Sequence, residues 1–417
     1  MSETFVVDQL APGRARVNRA VASVCTFILA GAASLIVTMS AYSQVMRPTR
    51  ASVFLAALIG LNLLLKPRIF WSREFTLYAS FVGYMFITLL WTRDMDLASG
   101  TLVPAIDFIL AMICFGSLIK YHNVPTVLAG VLCGFAVGAG IYTLISGFPL
   151  SYPVEFSYNA IASMYVFGLF VTLLYGSFRR SSGFVLLAIA VVIMLHIVAT
   201  TSIKTNLGIA LGSGAAAVMY VGFVGQLIRR RVLALIVLAC GLGIVIVSND
   251  KLVDMISRGG QRVLIGVQVL QAREDVSGYS GFEERGYWKQ QGIEGWLSNP
   301  VFGYGVEAFR GDYGITSHST PIDLLYNYGM IGLVLFYGIF ASLIWRLVQV
   351  AARHQSSQRS LILGGVVCYL FVSLSGTMHY DIFLAGFIGI SVALFAVYDR
   401  AAKSALAVSN QTAGQHP

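Results

Sequence analysis

The chain has 417 residues, of which 57% are hydrophobic and only 11% charged. Soluble domains are about a quarter charged, so this composition excludes a soluble protein and defines an integral membrane protein. The formal charge of +9 does not point to nucleic acid, because Lys and Arg accumulate in the cytoplasmic loops of membrane proteins.

Residues 1–20 form a polar N-terminal tail with Arg14, Arg16 and Arg19. The apolar run behind it is too long for a signal-peptide core and is expected to be an uncleaved first span. A bilayer core needs roughly 20 apolar residues per helix. Spans are expected through residues 21–248, centred near Leu29, Ala57, Val82, Ile109, Gly134, Phe167, Ala190, Gly212 and Leu238. The second is short, from Ala51 to Leu65. One large polar loop occupies 249–320. Further spans near Val334, Tyr369 and Ile390 fill 321–399, and the polar tail 400–417 is expected to lack order. The predicted fold is all-α and polytopic, with about twelve transmembrane helices.

Charge sets the orientation. With the N-terminus inside, 17 basic residues fall in cytoplasmic segments, against four (Arg47, Arg50, Arg93 and Lys204) in the short outer loops. This bias places both termini in the cytoplasm and the loop 249–320 outside. Gly130, Gly134 and Gly138 are spaced four apart, as are Gly208 and Gly212. Small residues at that spacing let helix backbones approach closely in lipid. The cysteines lie in apolar runs without metal-ligand spacing, so neither zinc nor disulfide is indicated.

The long loop holds the chemistry. Loops of this length are uncommon unless functional or disordered, and its Trp, Tyr, Phe and Gly content argues against disorder. A partly apolar surface helix is expected over Gly259–Ala272 and an amphipathic one over Glu284–Leu297. Arg285, beside Glu283 and Glu284, opens the second. It is either a surface ion pair of little worth or a guanidinium that holds phosphate oxygens bidentately. Gly303-Tyr304-Gly305-Val306-Glu307-Ala308 matches a dinucleotide-binding pattern, but Asn299-Pro300 precedes it instead of a strand. The better expectation is a tight turn with Gly at positive φ. His318 precedes Pro321 at the return to the membrane. Either it titrates near neutral pH, or His318, Ser319 or Thr320 caps the next helix. Lys204 sits at the outer end of its span, within reach of the same cavity as Arg285. Asp107 and His196 lie deeper and are expected to make structural hydrogen bonds. His379-Tyr380-Asp381 forms the last outer loop, which either lines the cavity or is structural.

These residues carry a family resemblance. Arg285 and Trp288 are followed by Asn299-Pro300-Val301-Phe302-Gly303-Tyr304-Gly305, then by His318, Gly329 and Gly332. This order and spacing resembles the bacterial O-antigen ligase and polysaccharide polymerase family of membrane glycosyltransferases. The resemblance spans roughly 50 residues; elsewhere only span number and the single large outer loop agree. It implies a GT-C-like fold in the inner membrane with a periplasmic active site. It also implies a donor glycan on undecaprenyl diphosphate, an acceptor hydroxyl, and no metal or nucleotide cofactor. By the same resemblance Arg285 binds the diphosphate and His318 activates the acceptor. Glu284, Trp288, Lys204 and His379 would complete substrate binding. Ser202-Ile203-Lys204 departs from the Ser-Arg usual at the second basic position, and Ser319 from the commoner Asn.

The expected activity is polymerisation of lipid-linked repeat units for an exopolysaccharide or O-antigen, with a flippase and a chain-length regulator as partners. The alternatives are ligation to a lipid core and, more distantly, transport of a lipid-linked glycan. Transporters often carry internal repeats, and none is detected here.

Overall fold

The computed structural model describes residues 12–40, 48–147, 158–178, 183–199, scattered positions between 205 and 216, 280–351, 357–374 and 376–413. At several helix ends, including 280–285 and 401–413, only the backbone is described. Helices account for the fold, and no strand occurs among the described residues. In chain order they are α1 (Pro12–Ser40), α2 (Pro48–Leu65), α3 (Arg73–Thr88), α4 (Met95–Tyr121), α5 (Val124–Ser146), α6 (Tyr158–Phe178) and α7 (Gly183–Ala199). After the long loop come α8 (Ser280–Ser298), α9 (Ala308–Tyr313), α10 (Thr320–Ala351), α11 (Ser357–Ser373) and α12 (Ile382–Ala413).

Six of these helices are long and apolar enough to cross a membrane: α1, α4, α5, α6, α10 and α12. The apolar parts of α2 and α11 are shorter. The chain is therefore an α-helical membrane protein. The span expected near Leu238 and the surface helix over 259–272 lie outside the described residues, as does Lys204. The amphipathic helix expected over 284–297 is α8. One expectation fails: the C-terminal tail is not irregular, because α12 continues to Ala413. Its Ala-rich sequence has high helix propensity, and extending an existing helix avoids the cost of nucleation.

Local chemistry fixes the helix ends. The Ser72 hydroxyl accepts the Phe75 amide at the start of α3, at 3.4 Å. Asp94 accepts the Leu97 amide at the start of α4, at 3.0 Å. Asn123 does the same for Thr126 at the start of α5, at 3.2 Å. Each satisfies an amide that the first turn leaves unpaired.

The glycine stripe has the role its spacing suggested. A Cβ at Gly134 would land on the Gly31 carbonyl, and one at Gly130 on the Phe27 carbonyl, so α1 and α5 touch backbone to backbone. Gly212 lies equally close to the Gly364 carbonyl of α11. Asp107 and His196 make the structural bonds expected of them. Ser52 donates to Asp107, and His196 Nδ1 lies 2.8 Å from the Val192 carbonyl.

The described connections sort to two ends of the bundle. At one end the Arg346 Nε donates to Glu74 at 2.8 Å, Lys120 donates to the Ala396 carbonyl at 2.5 Å, and His122 lies between Asn62 and Thr26. At the other end Arg93 pairs with Asp312 at 2.9 Å, and Tyr84 donates to the Phe302 carbonyl at 3.0 Å. Here the 299–320 segment meets the turn before α12. Alternating passes of α3, α4, α10 and α12 produce this sorting. The end that carries Lys66, Lys120 and Arg346 is the one the charge bias assigned to the cytoplasm.

Candidate functional site

The site is built on a broken helix. Gly329 interrupts α10 with φ 61° and ψ −162°, a conformation almost confined to glycine. A break strands backbone groups on both sides of it, and in a membrane these must find partners. The chain 300–305 supplies them. Tyr304 and Gly305 donate their amides to the carbonyls of Tyr326 and Asn327, at 2.9 and 2.7 Å. Met330 and Ile331 donate in return to Pro300 and Val301, at 2.9 and 3.4 Å.

This clasp explains the glycines around it. Gly303 and Gly305 have positive φ, 67° and 101°, as the tight-turn expectation required. A Cβ at Gly329 would land on the Val301 carbonyl, and one at Gly303 would crowd the Gly329 amide and the Asn327 carbonyl. Asn299 locks the turn from outside, its side-chain amide donating to the Gly303 carbonyl at 2.6 Å. The Asn-Pro-x-x-Gly-x-Gly run and the distant Gly329 are thus two halves of one joint.

Beyond the clasp the chain enters α9 through Glu307. This residue sits at the N-cap position in the left-handed region, with φ 55°, yet its side chain does not cap the helix. Instead it turns into a crevice lined by Glu307, Arg310, Asp323, Asn327, His379 and Tyr380, among others. The space there is ≈ 10 Å³, room for about one water molecule. Glu307 is only 5% exposed. Tyr380 donates to its Oε1 at 3.4 Å, and Thr101 bonds the same carboxylate. Burial pushes the Glu307 carboxyl above its usual range, the Thr101 bond opposes this, and the neighbouring Asp323 adds to it.

The other polar groups are tied down. Asp323 accepts the Ser317 amide at 3.0 Å and the Thr377 hydroxyl at 2.8 Å. Thr320 donates to the Gly376 carbonyl at 2.5 Å and accepts the Met378 amide at 2.8 Å. These bonds stitch the start of α10 to the turn before α12. They place His379 in an aromatic box of Phe81, Tyr328, Phe336 and Tyr380, with ring centroids 4.3–6.3 Å away. His379 is 1% exposed, and burial lowers its imidazole to a pKa of about 3.

The residues predicted from sequence fall in three places. His379 lines the crevice. His318 lies on the 317–320 turn, half-buried, with φ 57°; from this segment it is Thr316 that lines the crevice. Of the three cap candidates it is Ser319 that stands just before α10, its carbonyl accepting the Asp323 amide at 2.9 Å. The left-handed conformation aims the His318 backbone out of the helix path. Trp288 lies on α8 and packs its ring on Tyr313 at 5.6 Å. Farther along that helix Gly292 seats on Ile322 and Gly295 on Tyr326. Arg285 and Glu284 belong to the first turns of α8, where the backbone alone is described. By register Arg285 shares a helix face with Lys289, whose Nζ lies 3.4 Å from the Leu374 carbonyl. Sequence reasoning missed Glu307, Asp323 and Asn327 as members of the site, whereas Tyr380 belongs to the last outer loop, which was expected either to line the cavity or to be structural.

No known family model matches the chain, and no curated protein matches it.

Proposed function

We propose that the protein is a glycosyltransferase of the bacterial inner membrane. In this proposal it polymerises undecaprenyl-diphosphate-linked oligosaccharide units for a surface polysaccharide, at the periplasmic face. The observation that carries the proposal is the joint formed by the family-like residues. Asn299 to Gly305 and Gly329 lie far apart in the chain, yet they meet backbone to backbone. Trp288 lies on α8, which packs against α10 through Gly292 and Gly295, and His318 lies on the turn that leads into α10. The meeting of the two distant parts of the motif at the joint is what supports the reading.

The chemistry requires little else. In the proposed reaction the acceptor hydroxyl oxygen bonds to the anomeric carbon of the donor, while the bond from that carbon to the diphosphate oxygen breaks. The diphosphate leaves with the electron pair, and the hydroxyl proton passes to His318. Arg285 neutralises charge on the leaving group, an electrostatic contribution of about 3 kcal/mol at comparable sites. The donor is already activated, so no nucleotide is consumed.

The test is transfer from the extracted lipid-linked glycan by purified protein, wild type against His318→Asn. Asn tolerates the left-handed backbone that His318 adopts, so the substitution preserves the turn while removing the titrating group. Loss of general-base assistance lowers the rate ~100- to 10,000-fold. A folded Asn variant within a few-fold of wild type refutes the base role, and a wild type that forms no glycosidic bond refutes the transferase.

A further inference from the structure

The crevice beside the clasp contains an imbalance that the proposed chemistry leaves unused. Neither ring nitrogen of His379 has a hydrogen-bond partner among the described residues, although the residue is only 1% exposed. A neutral imidazole carries one donor and one acceptor, and buried polar groups are almost always paired. Opposite it, Glu307 has room for several donors but holds only the long Tyr380 bond and the Thr101 hydroxyl. Asp323, by contrast, already has a donor on each oxygen.

We propose that this crevice is a subsite for a single hydroxyl group of a sugar, held between the Glu307 carboxylate and the His379 imidazole. The choice of a sugar as ligand rests on the transferase proposal. A hydroxyl both donates and accepts. It gives its proton to the carboxylate as a hydrogen bond and receives the imidazole N–H. The available ≈ 10 Å³ matches one water-sized group, which excludes a whole ring and leaves the rest of the sugar toward the open side, near Arg310. Glu307 is a positioning residue in this scheme, distinct from the base.

The experiment uses full-length protein in nanodiscs and, as probe, the oligosaccharide released from the extracted lipid-linked glycan by mild acid. Binding is measured by saturation-transfer NMR for wild type, Glu307→Gln, His379→Phe and His379→Gln, with thermal unfolding as the control for folding. Phe fits the aromatic box and needs no partner, so His379→Phe should melt at or above the wild-type temperature while binding at least tenfold more weakly. Glu307→Gln should also bind at least tenfold more weakly. If His379→Phe does not fold, Glu307→Gln and His379→Gln carry the test. Folded variants binding within threefold of wild type overturn the proposal and leave the crevice as a site for a structural water only. Absence of binding by wild type overturns it as well. Transfer is assayed separately. A wild type that binds the oligosaccharide through these residues but forms no glycosidic bond keeps the subsite and refutes the transferase.

Discussion

Gly329→Ala tests whether the break in α10 is dictated by the clasp. Two costs follow from the structure. Alanine at φ 61° and ψ −162° is strained by about 1–3 kcal/mol. Its Cβ would also occupy the position of the Val301 carbonyl, so the chain 300–302 must withdraw. That withdrawal removes the acceptor of the Met330 amide, and a buried donor left unpaired costs about 1–3 kcal/mol. The expected loss is therefore about 2–6 kcal/mol. Gly100→Ala is the control. Gly100 lies inside α4 with nothing within 4 Å of an added Cβ, so the change should be neutral or stabilise by about 0.5–1 kcal/mol. Both are measured by SDS titration of purified protein in mixed micelles, followed by tryptophan fluorescence. A Gly329→Ala variant within about 1 kcal/mol of wild type refutes the argument, because the helix would then break for some other reason.

Three further outcomes follow. His379 is neutral when folded, with a pKa near 3 against 6.5 for the exposed ring, so the unfolded chain binds more protons between those values and stability falls as pH drops below about 6.5. From neutral pH to pH 5 wild type should lose roughly 2 kcal/mol more than His379→Phe, and parallel curves for the two would exclude His379 as the source. Glu74 is fully buried and accepts Ser342 at 2.6 Å and Arg346 at 2.8 Å. Glu74→Gln should cost about 3 kcal/mol by leaving Arg346 without its counter-charge, and Glu74→Gln with Arg346→Gln should cost less than the sum of the single changes; additivity in SDS unfolding would show that the pair is uncoupled. Arg285→Ala should leave membrane insertion intact and abolish transfer, with Arg285→Lys a poor substitute because an ammonium lacks the planar fork; full activity of the Ala variant removes Arg285 from the site.

Much of the fold was legible because lipid makes strong demands on sequence. Apolar runs predicted most of the described helices, and glycines four apart predicted a close helix contact, although only the structure shows that the partner of α5 is α1. The turn at Gly303 and Gly305 was also readable, since those residues answer a local steric need. Its partner was less so. Nothing near Gly329 in the sequence announces a break, because the residues around it continue an apolar helical pattern. The missed site residues share a different cause. Glu307 looked like one loop carboxylate among many, and Asp323 like an ordinary acidic residue in the first turn of a helix. Their roles depend on burial, which arises only when the 317–320 turn is stitched to 376–378. The C-terminal tail was misread because its polar residues outweighed the helix propensity of its alanines.

The clasp and the crevice are mechanically one feature. The bonds from Tyr304 and Gly305 to Tyr326 and Asn327 set the height at which the chain leaves the clasp, and Val306 is then held by the Thr92 hydroxyl at 2.9 Å. That anchor leaves Glu307 a single residue in which to turn toward α9, which its left-handed conformation accomplishes. On the other side Asn327 accepts the Phe309 amide at 2.8 Å, so the same residue that receives the clasp also seats α9. Glu307 is therefore aimed by backbone contacts on both sides, and its direction does not depend on a flexible loop. A strained carboxylate held this firmly, facing an imidazole fixed by an independent set of bonds from Thr320 and Asp323, is preorganised: little ordering remains when a ligand arrives. The glycines at 303, 305 and 329 thus act on the site without touching its contents.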